Sequence, residues 1–252
     1  MKVRLDRLLV ERALAPSRER AQAMILAGRV LVNEQKVEKA GANVNVEATI
    51  RLLGDDLRYV GRGGLKLERA LVHWKIDVKG RSCMDVGAST GGFTDCFLQH
   101  GAEQVIAVDT GFGQIDAKLR ADERVHLLER TNARYLTREQ VSGASRGGVL
   151  PDLAAMDVSF ISATLVLPAV VAVLAGAPRA RKELVVLVKP QFEVGRGNIG
   201  KGGIVRDESA QVAAVEKVRE CVVSLGAHRT DVIESPITGA EGNREFLLYC
   251  EL

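Results

Sequence analysis

The stretch that most constrains this chain is an apolar strand running directly into a glycine-rich turn and then a helix. Cys83-Met84-Asp85-Val86 is strand-like, Gly87-Ala88-Ser89-Thr90-Gly91-Gly92 is the turn, and Phe93, Cys96 and Phe97 give a helical face that stops at Gly101. Such junctions belong to parallel sheets, whose ligands bind where a strand's carboxyl end opens onto a helix start. Glycines let main-chain N–H groups approach a ligand, and the helix N-terminus adds partial positive charge suited to a carboxylate or phosphate. Asp85, Gly87, Ala88, Ser89, Thr90, Gly91, Gly92 and Phe93 are therefore candidates for a small-molecule cradle.

The spacing Gly-x-x-x-Gly-Gly departs from the Gly-x-Gly-x-x-Gly dinucleotide pattern, which disfavours a nicotinamide cofactor. The next apolar run, Val105 to Val108, ends at Asp109, a carboxylate at a second strand tip suited to ribose hydroxyls. Two acids around a glycine turn suggest a nucleoside site, an arrangement shared by dinucleotide enzymes and by methyltransferases that use S-adenosylmethionine. The same letters, Gly87 to Gly91, also satisfy Gly-x-Ser-x-Gly, the nucleophile elbow of serine hydrolases. That alternative needs His228 as its late histidine, lacks a His-Gly-Gly-Gly segment and gives Asp109 no task.

Downstream the chain alternates strands and helices, with strands expected near 82–86, 105–109, 125–129, 153–157, 184–189, 229–234 and 245–251. The repetition predicts an α/β fold with a doubly wound sheet of seven strands. Only about ten turn-rich residues separate the last two strands, too few for a crossover helix, so the final strand should be antiparallel. Asp157 and Lys189 end two further apolar runs, and a lysine closing the run Leu184 to Val188 is hard to justify structurally. Residues 61–64 read as a flexible joint before a helix carrying Leu67, Ala70, Leu71 and Trp74. Lys66 stands in the first turn of that helix, where a cation is disfavoured, so a partner is expected for it. The glycine-rich segment 194–203, with Arg196 and Lys201, reads as a mobile basic loop. Asp207 then caps a helix whose Val212, Val215, Val218, Val222 and Leu225 should face inward.

The 252 residues suffice for one α/β domain and a small appendage. Four cysteines and four histidines are scattered without metal-ligand spacing, so no metal is expected and the thiols read as reduced and buried. The charged start lacks the apolar core of an export signal, and the longest apolar run, Leu165 to Ala177, is about 13 residues against the roughly 20 of a membrane span. A cytoplasmic protein with no membrane partner is the expectation. Residues 1–60 hold 11 Lys and Arg against 8 Asp and Glu, whereas residues 61–252 hold 24 of each, so the basic excess lies at the front and points to a polyanion partner.

The front segment reads as two short helices and a few strands. Its pieces Arg4-Leu5-Asp6, Ser17-Arg18-Glu19-Arg20-Ala21 and Gly28-Arg29-Val30-Leu31-Val32-Asn33 occur in the order of the S4-type RNA-binding domain, which about the first 55 residues resemble. That resemblance implies RNA contacts from Arg4, Arg7, Arg18, Arg20 and Arg29, joined by Arg196 and Lys201 of the later loop. Five further motifs are similar to the FtsJ-like ribose 2′-O-methyltransferases, and more closely to the TlyA, haemolysin-A-like group. They are Ser-Thr-Gly-Gly-Phe-Thr-Asp (89–95), Glu-Arg-Thr-Asn-Ala-Arg (129–134), Asp-Val-Ser-Phe-Ile-Ser (157–162), Val-Lys-Pro-Gln-Phe-Glu (188–193) and Gly-Asn-Arg-Glu-Phe (242–246).

The resemblance implies an RNA-binding domain over 1–60 and a Rossmann-like methyltransferase domain over 61–252. It implies a catalytic set of Lys66, Asp157, Lys189 and Glu245, with Asp157 also beside the donor. It places S-adenosylmethionine on Gly87 to Gly91, with its ribose at Asp109 and its adenine at Asn132 and Ala133. The acceptor implied is a cytidine 2′-hydroxyl of 16S or 23S rRNA, with ribosomal RNA or subunits as partner. The haemolysin label has no physical support in these residues. A lysine of ordinary pKa, ~10.4, is neutral about once in 2,500 molecules at pH 7, so the residues alone leave open whether Lys189 is a base or an orienting group. A non-catalytic RNA-binding scaffold is the remaining alternative.

Overall fold

The computed structural model describes residues 2–15, 17–52, 58–195, 197, 199–200, 202–239 and 242–252. The chain divides into two compact units, Met1–Asp56 and Leu57–Leu252.

In the first unit β1 (Lys2–Arg4) leads into α1 (Leu5–Glu11) and α2 (Arg18–Leu26), followed by β2 (Val30–Val32), β3 (Gln35–Lys36), β4 (Asn43–Asn45) and β5 (Ile50–Leu52). Ser17 caps α2 by accepting from the Arg20 N–H at 3.2 Å, as a serine in extended conformation can. Leu5, Leu8 and Leu9 of α1 pack with Ala21, Met24 and Ile25 of α2 over Val30 and Val32. Ala13 lies beyond the helix end at φ 55° and is exposed, and Ala15 enters the core.

Asp6 is fully buried at the head of α1 and accepts from Arg4, Arg18, Gln22 and the Arg7 N–H. Hydrogen bonding from Arg4, with help from Gln22 and Arg18, outweighs its desolvation and holds the carboxyl far below the ordinary aspartate range.

The second unit opens with α3 (Gly63–Trp74) and continues as β6 (Ser82–Val86), α4 (Gly92–Gln99), β7 (Gln104–Val108), α5 (Ala117–Arg120), β8 (Val125–Leu128) and α6 (Arg138–Ala144). Then come β9 (Leu153–Met156), α7 (Leu167–Ala175), β10 (Glu183–Val188), α8 (Pro190–Glu193), α9 (Glu208–Ser224), β11 (Arg229–Glu234) and β12 (Phe246–Glu251). Seven strands form one sheet in the order β11-β12-β10-β9-β6-β7-β8, in which β12 alone is antiparallel to its neighbours. The expected doubly wound architecture and its antiparallel last strand are both present.

Period-two alternation sorts the strands onto two cores. Met84, Val86, Val186, Val188 and Leu248 face α7 and α9, while Cys83, Val105, Leu153, Val185 and Leu247 face α3 and α4. The inner stripe of α9 starts one residue earlier than the valine pattern suggests: Gln211, Ala214, Val218 and Val222 are buried and Val212 is 66 % exposed. A seven-residue step from Gln211 to Val218 keeps one face, and Val212 lies a further 100° round the helix.

Residues 61–64 are not the flexible joint expected of them. Tyr59 is buried against Gly64, where any Cβ would sit 2.2 Å from its ring, and the Val60 N–H donates to Asp95 at 2.8 Å, so the second unit already includes residues 59 and 60. The start of α4 lies on the same segment, since a Cβ on Gly92 would be 3.0 Å from the Gly64 nitrogen.

At the far end of the sheet, buried Arg81 joins the beginnings of three parallel strands. It pairs with Asp152 before β9 and Glu183 on β10, and donates to the Asp152 carbonyl at 2.8 Å. Removing the guanidinium strands two buried carboxylates, although Arg179 and Arg181 still approach them at 3.1 Å each. Arg81→Met should therefore lower the unfolding free energy by about 3 kcal/mol, near the bottom of the range for breaking a buried pair. Urea unfolding of the full chain measures this; an unchanged midpoint would show that Arg81 is not a tie.

Candidate active site

The carboxyl ends of β6, β7, β9 and β10 and the beginning of β12 open onto two cavities that share Ser89, Asp157, Ser159 and Phe160. The first, about 510 Å³, carries Lys66, Asp157, Lys189 and Glu245 on its wall. The second, about 420 Å³, is lined by Gly87, Asp109, Asn132, Ala133 and Asp157 among others.

Register explains the first grouping. Met156 of β9 pairs with Val186 of β10, and Val188 of β10 pairs with Phe246 of β12, so Asp157, Lys189 and Glu245 leave neighbouring strands at one edge. Because β12 runs the other way, it presents the residue before its first rather than the one after its last. Lys66 reaches the same wall from the first turn of α3. Its Nζ lies 2.5 Å from Glu245 Oε2, with both side chains at most 10 % exposed, which supplies the partner expected for a cation there.

Lys189 Nζ lies 2.5 Å from Asp157 Oδ1 and donates to Ser159 Oγ at 2.7 Å. Asp157 Oδ1 is buried and its contact with Lys189 is one of charge rather than a directed hydrogen bond. The side chain is 22 % exposed, so Oδ2 is the oxygen left facing the cavity. Two cations and two carboxylates, remote in sequence, thus form two adjacent ion pairs with no net charge.

The glycine turn has a different rationale from the one its letters suggest. Gly87 sits at φ 89°, and a Cβ there would come within 2.4 Å of the Asp157 carbonyl oxygen. The position needs glycine because the turn lies against the main chain leaving β9, and the same absence of a side chain keeps the second cavity open. Asp109 Oδ2 accepts from the Ser89 N–H at 2.8 Å and Oδ1 from the Gly111 N–H at 2.7 Å, so the carboxylate is fixed by backbone before any ligand arrives. Asn132 uses its side-chain oxygen to cap the short turn Ala133–Tyr135.

Other members of the expected cradle line neither of these two cavities. Gly91, Gly92 and Phe93 are buried beneath the turn, Thr90 lines neither cavity, and Ala88 borders only a void of about 10 Å³. Asp85 is fully buried, accepting from the Thr94 N–H at 2.8 Å and the Thr94 hydroxyl at 2.7 Å, and so ties the strand to the first turn of α4. Burial pushes its carboxyl up to about 7 against those bonds, with Asp157 and Asp109 adding to the rise.

Ser159, Phe160 and Gln191 also line the first cavity, each inside a sequence motif but with no local signal of its own. Phe160 is 92 % exposed, adopts φ 64° and packs its ring against Phe192 at 5.4 Å between centroids. A large residue in the left-handed region with its ring in water is disfavoured twice over. The hydrolase alternative has no geometry. His228 precedes β11, whose first residue pairs with Glu251 as Glu183 of β10 does, so it lies at the opposite end of the sheet from Ser89.

In the first unit, Arg4 and Arg18 are held by Asp6 while remaining about half exposed, and Arg7 pairs with Glu11 at 2.9 Å. Arg20 and Arg29 each make an interaction within the structure. Arg196 and Lys201 lie outside the described residues. Among the described residues no helix is long and apolar enough to cross a membrane.

Residues 59–251 match the model of the FtsJ-like methyltransferases, and residues 3–50 match that of the S4 domain. The protein YqxC of Bacillus subtilis (strain 168) is 46 % identical over 98 % of this chain and 85 % of its own length. The 16S/23S rRNA (cytidine-2′-O)-methyltransferase TlyA of Mycobacterium tuberculosis (strain ATCC 25618 / H37Rv) is 43 % identical over 98 % of this chain and 89 % of its own. A solved structure from Streptococcus thermophilus that carries a hemolysin name superposes with a TM-score of 0.73 at 42 % identity, covering 99 % of this chain and 88 % of that one.

Asp85 gives this site a pH signature. Between about pH 4, the ordinary aspartate value, and its raised value the folded chain holds a proton that the unfolded chain has released. Stability on its account is complete below that window and is lost as pH rises through it. Asp85→Asn should remove this slope, so that urea midpoints of wild type and variant diverge between about pH 4 and about pH 7; parallel midpoints would show that Asp85 stays charged.

Proposed function

The chain belongs to the FtsJ-like methyltransferases and carries an S4 domain ahead of that domain, and from this premise we propose that it transfers a methyl group from S-adenosylmethionine to a cytidine 2′-hydroxyl of 16S or 23S rRNA. The observation that carries the reading is the convergence of the Lys66–Glu245 and Lys189–Asp157 pairs on one cavity wall, beside a second cavity suited to a nucleoside.

The residues of the second cavity fit the donor. Asp109, already oriented by two backbone N–H groups, offers its remaining lone pairs to ribose hydroxyls. Asn132 and Ala133 border the space for adenine, and the Gly87 turn leaves room for the amino-acid end. When bound, S-adenosylmethionine supplies an electrophilic methyl group on a sulfonium.

The chain's own side chains do the rest. Lys189 lies on Asp157 Oδ1 and gives one N–H to Ser159, which leaves a donor for the acceptor's 2′-oxygen and aims its lone pair. Asp157 Oδ2 faces the same cavity and takes the hydroxyl proton as the new C–O bond forms. Lys66 and Glu245 neutralise one another next to this centre, so neither leaves a bare buried charge. Phe160 offers a ring face to a nucleobase at the cavity mouth. The S4 domain supplies the RNA affinity, with Arg4, Arg7, Arg18, Arg20 and Arg29 as candidate phosphate contacts.

The reading is tested by tritiated transfer from S-adenosylmethionine to ribosomal subunits taken from cells lacking this protein. The expected product is a 2′-O-methylated cytidine, and no transfer to either subunit would end the proposal. Lys189→Ala should abolish transfer while leaving donor affinity by calorimetry within about threefold of wild type, since Lys189 acts on the acceptor; full activity in that variant would remove Lys189 from the mechanism.

A further inference from the structure

Five buried side-chain polar atoms lack a hydrogen-bond partner among the described residues, and two of them, Asp157 Oδ1 and Gln191 Oε1, belong to residues lining the acceptor cavity. Asp157 Oδ1 lies against the Lys189 ammonium. Gln191 Oε1 has no such contact, and a buried oxygen left without a donor is costly, by about 1–3 kcal/mol. It stands in the first turn of α8, two residues beyond Lys189, on the wall that also carries Phe160 and Phe192.

We infer that Gln191 reads the base of the nucleotide whose ribose is methylated, an inference that rests on the RNA methyltransferase reading above. Within an RNA chain the 3′ and 5′ oxygens are esterified and phosphates only accept, so the donors open to Gln191 Oε1 are 2′-hydroxyls and base N–H groups. The acceptor's own 2′-hydroxyl is engaged by Lys189 and Asp157. Flanking 2′-hydroxyls lie on the polar sugar–phosphate backbone, whereas the tilted Phe160–Phe192 pair beside Gln191 offers apolar surface on which a base can rest, so a base is the donor that matches this wall.

The amide also selects among pyrimidines. Cytosine presents its N4 amine as donor beside N3 as acceptor, which complements the oxygen and NH₂ of a glutamine in a bidentate pair. Uracil places a carbonyl where cytosine has the amine. With the glutamine oxygen on the buried side, uracil in the same pose brings oxygen against oxygen and N3–H against NH₂ and forfeits both bonds, so Gln191 favours cytidine.

The experiment uses ribosomal subunits from cells lacking the protein, carrying plasmid-encoded rRNA with either cytidine or uridine at the methylated position, and measures tritiated transfer by the full chain. Wild type should favour cytidine. In Gln191→Met, kcat/KM on cytidine should fall about ten- to a hundredfold and the cytidine-to-uridine ratio should move toward one. Calorimetric affinity for S-adenosylmethionine should not change, which separates loss of acceptor reading from misfolding. A Gln191→Met protein with wild-type kcat/KM and ratio would overturn the inference and leave the methyltransferase reading intact. Absence of transfer by wild type to either RNA would overturn both.

Discussion

Hydrogen-bonded register between β9, β10 and β12 is the constraint on which the active site depends. Two parallel strands and one antiparallel strand end or begin along a single edge, so Asp157, Lys189 and Glu245 emerge side by side although about ninety residues of chain separate the first from the last. A slip of one residue in any of these pairings would send the charged side chain to the other face of the sheet. The cores on both faces resist such a slip, because the same shift would bring every buried valine and leucine of the strand out of its layer. The chemistry is thus held in place by the burial of the strands rather than by the loops that carry it.

The opposite end of the sheet is secured by a comparable device. Arg81 binds the starts of β6, β9 and β10 together, and at the other end the Lys189–Asp157 pair joins β9 to β10. Between the two, Asp85 links β6 to α4 through Thr94, and Gly87 lets the turn settle on the main chain after Met156. The turn that looks like a ligand cradle is first a packing joint. Its openness to a ligand follows from the lack of a side chain where two backbones meet.

Charge is used differently in the two units. In the first, Asp6 gathers Arg4 and Arg18 at the head of α1 and fixes their stems, which restrains those guanidinium groups before any polyanion is met. In the second, basic and acidic residues balance in number and the cavity charges are paired. For the reaction proposed above, with a cationic donor and an acceptor embedded in a polyanion, a neutral quartet means that neither partner would meet an uncompensated field of like sign.

Local patterns in the chain carry the alternation of strands and helices, the reversal of the last strand, the cap at Asp207 and the charged positions that end apolar runs. Each of these is written locally, in periodicity, in the shortness of the 235–244 connection, or in a side chain that can reach its own backbone. The partner of Lys66 was legible only as a need, because a cation in a helix's first turn requires compensation from somewhere. Packing settles which distant groups meet: Glu245 on Lys66, Asp157 on Lys189, Gly87 on the Asp157 carbonyl, Tyr59 on Gly64. The exposed ring of Phe160, its left-handed backbone and the unpaired oxygen of Gln191 also belong to that second class. They arise from the environment that three-dimensional packing creates around a residue, which no local pattern of letters encodes.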